Sequence, residues 1–215
     1  MNSFKSAAAC GAMALVVAGG AAMGGEIFNT GTPEPGFFGF FGYDVFEGQS
    51  VGVAFTVDQD YTLDSVGLWM MNNNFDFAGA PYTVSLQTSG PADVGPEGPS
   101  GVVLESWDVQ TAAIGWNPIL ETQTSVLNVL LEAGQTYWIV AESDSPPLID
   151  AVWVASSQDT PVLNGNTNAA NPTPGWYTGY SQGAPGLVIN ATLVPAPAGA
   201  LALAGLGIVG TRRRR

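Results

Sequence analysis

The sequence predicts an all-β protein, an antiparallel β-sandwich of jelly-roll-like form with about nine strands, flanked by helical segments at its N- and C-termini. Three observations carry this. Short apolar runs alternate with polar residues at period two, the runs are rich in β-branched and aromatic residues, and clusters of turn residues separate them with no sustained helical period. Val51, Val53, Phe55 and Val57 alternate with Gly52, Ala54 and Thr56, and Tyr82, Val84 and Leu86 alternate with Thr83, Ser85 and Gln87.

In chain order the expected strands are 49–57, 61–71, 82–88, 102–109, 125–131, 135–142, 150–155, 175–180 and 186–194. The segment from Phe37 to Tyr43 reads as a first strand or a packing arm. Turns are expected at Asp58-Gln59-Asp60, Asn72-Asn73-Asn74, Gly90-Pro91, Ala133-Gly134, Pro146-Pro147 and Asn164-Gly165-Asn166, because these residues tolerate or fix turn dihedrals. A body of roughly 170 residues buries enough surface to fold without crosslinks. The only cysteine, Cys10, lies outside that body.

Before the strands, Lys5 precedes an apolar run from Ala7 to Met23 and then Gly24-Gly25-Glu26. One positive charge, a short apolar core and small residues form the pattern of a secretory signal peptide over residues 1–24. The run is short and Gly- and Ala-rich against the ~20 residues of a membrane span. After the strands come Val194-Pro195-Ala196-Pro197, an apolar stretch from Ala200 to Gly210, and Arg212-Arg213-Arg214-Arg215. By the positive-inside rule the Arg block stays cytoplasmic, and the 25–193 body lies on the far side of the membrane.

Charge is sharply segregated. The net charge is −13, and all five basic residues are Lys5 and Arg212 to Arg215. The 18 acidic residues lie between Glu26 and Asp159, and there is no His, so the 25–193 body carries no cationic side chain. Nucleic-acid binding is therefore excluded, because it needs Lys or Arg at phosphates. Nucleophile–His systems, Schiff-base lysines and His/Cys zinc sites are excluded in the same way.

What remains is carboxylate and aromatic chemistry. Paired carboxylates could in principle serve a glycoside hydrolase, but no motif singles out a pair, so no catalytic residue is expected and the chain reads as non-enzymatic. Asp58, Asp60 and Asp64 alternate in a way that offers oxygens to Ca²⁺, but Leu63 and Trp69 stand where an EF-hand-type loop needs Gly and Glu; an acidic turn explains them better. No cofactor is expected beyond loose Ca²⁺ in a negative field. Trp116, Trp176, Tyr177 and Tyr180, set among Gly, Asn and Pro, are candidates for stacking on uncharged sugar rings, whereas Trp138 and Trp153 lie within apolar strands and read as core.

The tail from Val194 to Arg215 resembles the PEP-CTERM sorting signal of bacterial exported proteins, with Ala196 in place of the name-giving Glu. That resemblance implies recognition by an exosortase-type enzyme after signal peptidase has acted. It implies a transient inner-membrane anchor, whether cleaved or retained, then a cell-surface or extracellular location, with exopolysaccharide as a candidate partner. Residues 51–66, 82–88 and 130–141 are similar to the choice-of-anchor β-sandwich ectodomains attached to such signals. The expectation is an exported surface or extracellular-matrix protein, biofilm-associated and structural. The alternatives are a carbohydrate-binding or adhesive module and, third, a carboxylate-pair glycoside hydrolase.

Overall fold

The alternating runs pair into two antiparallel sheets in the computed structural model, which describes residues 24–36, 39–157, 161–167 and 175–195. Thirteen strands run from Gly25 to Leu193: β1 (Gly25–Asn29), β2 (Gly42–Val45), β3 (Val51–Thr56), β4 (Tyr61–Asn72), β5 (Pro81–Gly90), β6 (Gly98–Gln110), β7 (Ile119–Thr124), β8 (Leu130–Leu131), β9 (Thr136–Glu142), β10 (Ala151–Val154), β11 (Val162–Asn166), β12 (Tyr177–Ser181) and β13 (Leu187–Leu193). No helix occurs among the described residues, and so none there is long and apolar enough to cross a membrane. The helical segments expected at the two termini lie outside the described residues.

The first sheet is organised on β4. Residues 65–68 pair with both β13 and β7, and Met70 pairs with both β10 and β7. Since a strand has only two edges, β13 and β10 lie end to end along one edge of β4, and β7 and β8 along the other. β1 continues the sheet beyond β13, and β2 beyond β10. The second sheet has the order β12-β11-β3-β9-β5-β6.

Period two puts one residue set from each sheet into a shared core. Val51, Val53 and Phe55 of β3, Tyr82, Val84 and Leu86 of β5, and Tyr137 and Ile139 of β9 meet Leu63, Val66, Leu68 and Met70 of β4 and Ile189 of β13. Burying each Val, Leu or Ile contributes about 1.5–3 kcal/mol, so this layer dominates the stability of a body that has no side-chain cation to form salt bridges. Each sheet also covers part of its outer face. Ala54, Trp138, Val140 and Leu163 pack under Trp176, and Met71, Val152 and Val154 pack under Phe40 and Trp69.

Thirteen strands stand where about nine were expected, β1 lies in none of the expected runs, and two further segments differ from the sequence expectation. Residues 125–131 form a loop followed by the short β8, and the strand that pairs with β4 is the more polar Ile119–Thr124. Asn164-Gly165-Asn166 is no turn but the second half of β11, paired on both sides with Val51–Val53 and Tyr177–Gly179. Gly165 is needed there because a Cβ would stand 2.6 Å from Thr178 Cγ2 and from the Tyr177 carbonyl oxygen.

Candidate functional site

The loop after β4 and the loop after β6 are zipped together at one end of the first sheet. Asn72 is wholly buried, and its Nδ2 donates to the carbonyls of Phe77 (3.0 Å) and Ala113 (3.2 Å). Its Oδ1 accepts from the Asn74 amide at 2.8 Å, and Asn74 Oδ1 in turn accepts from Asp76 and Phe77 at 2.9 and 3.1 Å. These side-chain turns are what the Asn72-Asn73-Asn74 cluster supplies. Backbone bonds Asn72 N–Gly115 O and Gly115 N–Asn74 O, at 3.0 and 2.8 Å, fasten the second loop on the first.

This framework holds an aromatic ledge in solvent. Phe75 and Trp116 lie with ring centroids 5.7 Å apart at 54°, and Phe75 rests on Gly115, whose φ of +57° and lack of a side chain admit the ring. Phe75, Phe77 and Trp116 are 65%, 70% and 47% exposed. The Trp116 indole is anchored by its Nε1–H to Asn73 Oδ1 at 3.1 Å. The indole is thus held by its edge, with about half of Trp116 left exposed beside Phe75.

The other stacking candidates lie elsewhere, on the second sheet. Trp176 is half-buried against Trp138, centroids 6.3 Å apart at 48°, and both rings close over Gly52. Its backbone is held by Asp93 Oδ2 at 2.9 Å and by pairing with Val94. Trp176 is thus part of the outer apolar layer. Tyr177 is half-buried on β12, and Tyr180 is 67% exposed beside the β11 edge. Trp138 and Trp153 are wholly buried, Trp153 donating to the Gly186 carbonyl at 2.8 Å.

Asp58, Asp60 and Asp64 take separate partners. Asp58 accepts from Tyr61 Oη (3.1 Å), Asp60 from the Ala133 amide (2.8 Å) and Asp64 from Thr192 Oγ1 (2.9 Å). Among the described residues no group of three or more His, Cys, Asp or Glu gathers as a metal site. Of the sorting motif, Val194 follows β13 with its amide on the Asp60 carbonyl at 2.9 Å, and Pro195 is exposed. Ala196, Pro197 and Arg212 to Arg215 lie outside the described residues.

Three acidic features escape a sequence reading that puts carboxylates at strand ends. Glu121 on β7 is buried and accepts from Tyr82 Oη (2.5 Å), Thr111 Oγ1 (2.5 Å) and the Ala112 amide (2.8 Å). Burial first, then the charge of Glu121 and their hydrogen bond, push the Tyr82 phenol well above its ordinary range. Glu105 on β6 is buried and accepts from Ser125 Oγ (2.6 Å) and the amides of Val126 (2.7 Å) and Leu127 (3.1 Å). Asp150, just before β10, is buried; burial raises its pKa, Asp44 adds to this, and Asn73 with backbone amides of 148 and 150 pulls the other way.

A groove of about 1020 Å³ opens beside β5 and β9, lined among others by Ser50, Thr83, Asp108, Glu142, Ser143 and Asp144. Ser50 donates to Glu142 and Thr83 to Asp108, both at 3.1 Å. Phe46, Pro81, Val109 and Pro146 line it as well, so hydroxyls and carboxylates share the groove with apolar groups. No family model matches this sequence, and no curated protein matches it.

Proposed function

We propose that this chain is an exported surface or extracellular-matrix protein, non-enzymatic and structural, sorted through its C-terminal segment as the resemblance to PEP-CTERM signals implies. The observation that carries the reading is charge segregation. Every basic residue lies in the terminal segments, and the two-sheet body between them is wholly anionic. A body whose buried glutamates are satisfied by hydroxyls and amides needs no internal cation, which suits a segment that passes through a membrane apart from its basic tail. Successive strands β3, β4 and β5 alternate between sheets, which favours the jelly-roll-like, choice-of-anchor-like reading.

The test is localisation in a bacterium that carries an exosortase-type enzyme. The intact chain is expected at the cell surface or in the matrix, and replacing Arg212 to Arg215 by Ala should abolish that sorting. Unchanged surface delivery without the four arginines contradicts the reading.

A second reading, carbohydrate binding, is favoured by the Trp116–Phe75 ledge, two partly exposed aromatic rings held together on loops. On a glycan array the full chain should bind neutral polysaccharide, and Trp116→Ala should reduce binding at least tenfold. Binding that survives Trp116→Ala, or no binding to any neutral glycan, removes this reading.

A further inference from the structure

The first strand begins against the end of the last. Gly25 pairs with Ala191, and β13 runs on through Thr192 to Leu193 beside the start of β4. The register on β4 passes from Asn190–Ser65 to Ala191–Leu63, so Asp64 is the extra residue of a bulge and has no partner of its own on β13. Its carboxylate is nevertheless held toward that strand. Thr192 Oγ1 donates to Asp64 Oδ2 at 2.9 Å, while the Asp64 carbonyl oxygen accepts the Ser125 amide hydrogen at 2.8 Å.

Gly24 lies directly on this carboxylate. A Cβ at Gly24 would stand 2.0 Å from Asp64 Oδ2 and 2.8 Å from Thr192 Oγ1, so only a glycine backbone comes this close. Covalent geometry then puts the backbone nitrogens of Gly24 and Gly25 within about 6 Å of the carboxylate oxygen, a range over which opposite charges attract.

The signal-peptide reading of residues 1–24, on which this inference rests, places a cut at the same spot. Hydrolysis adds water across the peptide bond. The departing segment keeps the new carboxylate, and the nitrogen of the residue that now begins the chain takes up a proton. In the intact chain that nitrogen is an uncharged amide. After the cut it is the one primary amine of the protein, because Lys5 leaves with the signal segment and residues 25–215 contain no lysine.

We propose that removal of the signal peptide creates an ion pair between the new α-ammonium, on Gly24 or Gly25, and Asp64, and that this pair fastens β1 in place. Asp64 is the acceptor, and Thr192 is the positioning residue that holds it toward the chain start. β1 is a five-residue edge strand, paired among the described residues with β13 alone. A positive charge at its first residue supplies what no side chain of the 25–193 body can. Asp64 is half-buried and Gly24 exposed, so the pair is modest in strength and open to solvent.

The experiment is carbamylation by cyanate at pH 7 of the product exported by bacteria that express the full chain, read by intact mass and N-terminal sequencing. Only the unprotonated amine reacts, so pairing with Asp64 slows the reaction. The wild type is expected to react about threefold or more slower than Asp64→Asn, which keeps an oxygen for Thr192. Asp58→Asn removes the same charge from the neighbouring turn and should react like the wild type. Inserting two serines after Gly24 moves the ammonium off Asp64 without altering either sheet, and should quicken the reaction as Asp64→Asn does, whatever the fold of that variant. An uncleaved product overturns the export reading and this proposal together. A product cut elsewhere, equal rates in the wild type, Asp64→Asn and the serine insertion, or a rate raised as much by Asp58→Asn, overturns this proposal alone.

Discussion

Buried acid without a buried base sets the chemistry at the residue scale. Glu105 holds the 125–128 loop through Ser125 Oγ and two backbone amides. Glu105→Ala leaves those donors unpaired and should cost about 2–3 kcal/mol in denaturant titration, whereas Glu105→Gln, which keeps an acceptor oxygen, should cost about 1 kcal/mol or less. Tyr82 gives a pH signature. Its phenol is neutral in both folded and unfolded chains below an ordinary pKa of roughly 10, so its contribution is complete there. Above that the unfolded chain ionises while the folded phenol, held up by burial and Glu121, does not. Stability should therefore fall as pH rises past about 10, by up to about 1.4 kcal/mol per unit for this group. Tyr82→Phe should be less stable near neutrality but show a shallower alkaline decline. A decline of equal slope in both proteins would assign the effect to other tyrosines.

At the scale of elements, hydrophobic period decides what a sequence shows. The Val51-Val53-Phe55 and Tyr82-Val84-Leu86 sets were legible because their strands bury one face in the shared core. β7 was not, because Ile119–Thr124 lies at the β4 edge and its central Glu121 points into the protein by using hydroxyl partners that lie on other elements. The loop at 125–128 is apolar enough to resemble a strand, but Val126 and Leu127 are exposed, and Glu105 from β6 holds their amides. β11 was hidden by Asn-Gly-Asn, where the glycine answers a close approach by β12 and not a turn. Gly165→Ala should accordingly cost about 1–3 kcal/mol and loosen β12 together with Trp176. Hydrogen exchange would read this as lost protection at Tyr177–Ser181 with β4 and β5 unchanged; uniform loss across both sheets would contradict it. The Trp116–Phe75 ledge was half legible: Trp116 stood out among turn residues, but its neighbour Phe75 reaches it only through loops zipped across the end of the first sheet.

For the whole molecule, 18 carboxylates on a body without cations repel one another. Salt should screen this repulsion, so the Tm should rise between low salt and about 0.5 M NaCl, while a flat or falling Tm would show that local bonding outweighs the net field. The same segregation of charge underlies the sorting account, because export and processing are expected to remove the basic ends and leave only the anionic sheets. The most direct measurement is the intact mass of the protein released when the full chain is expressed in a bacterium that carries an exosortase-type enzyme. The account predicts a chain that begins near Gly25 and lacks Arg212 to Arg215; a released protein that still carries the four arginines would contradict it.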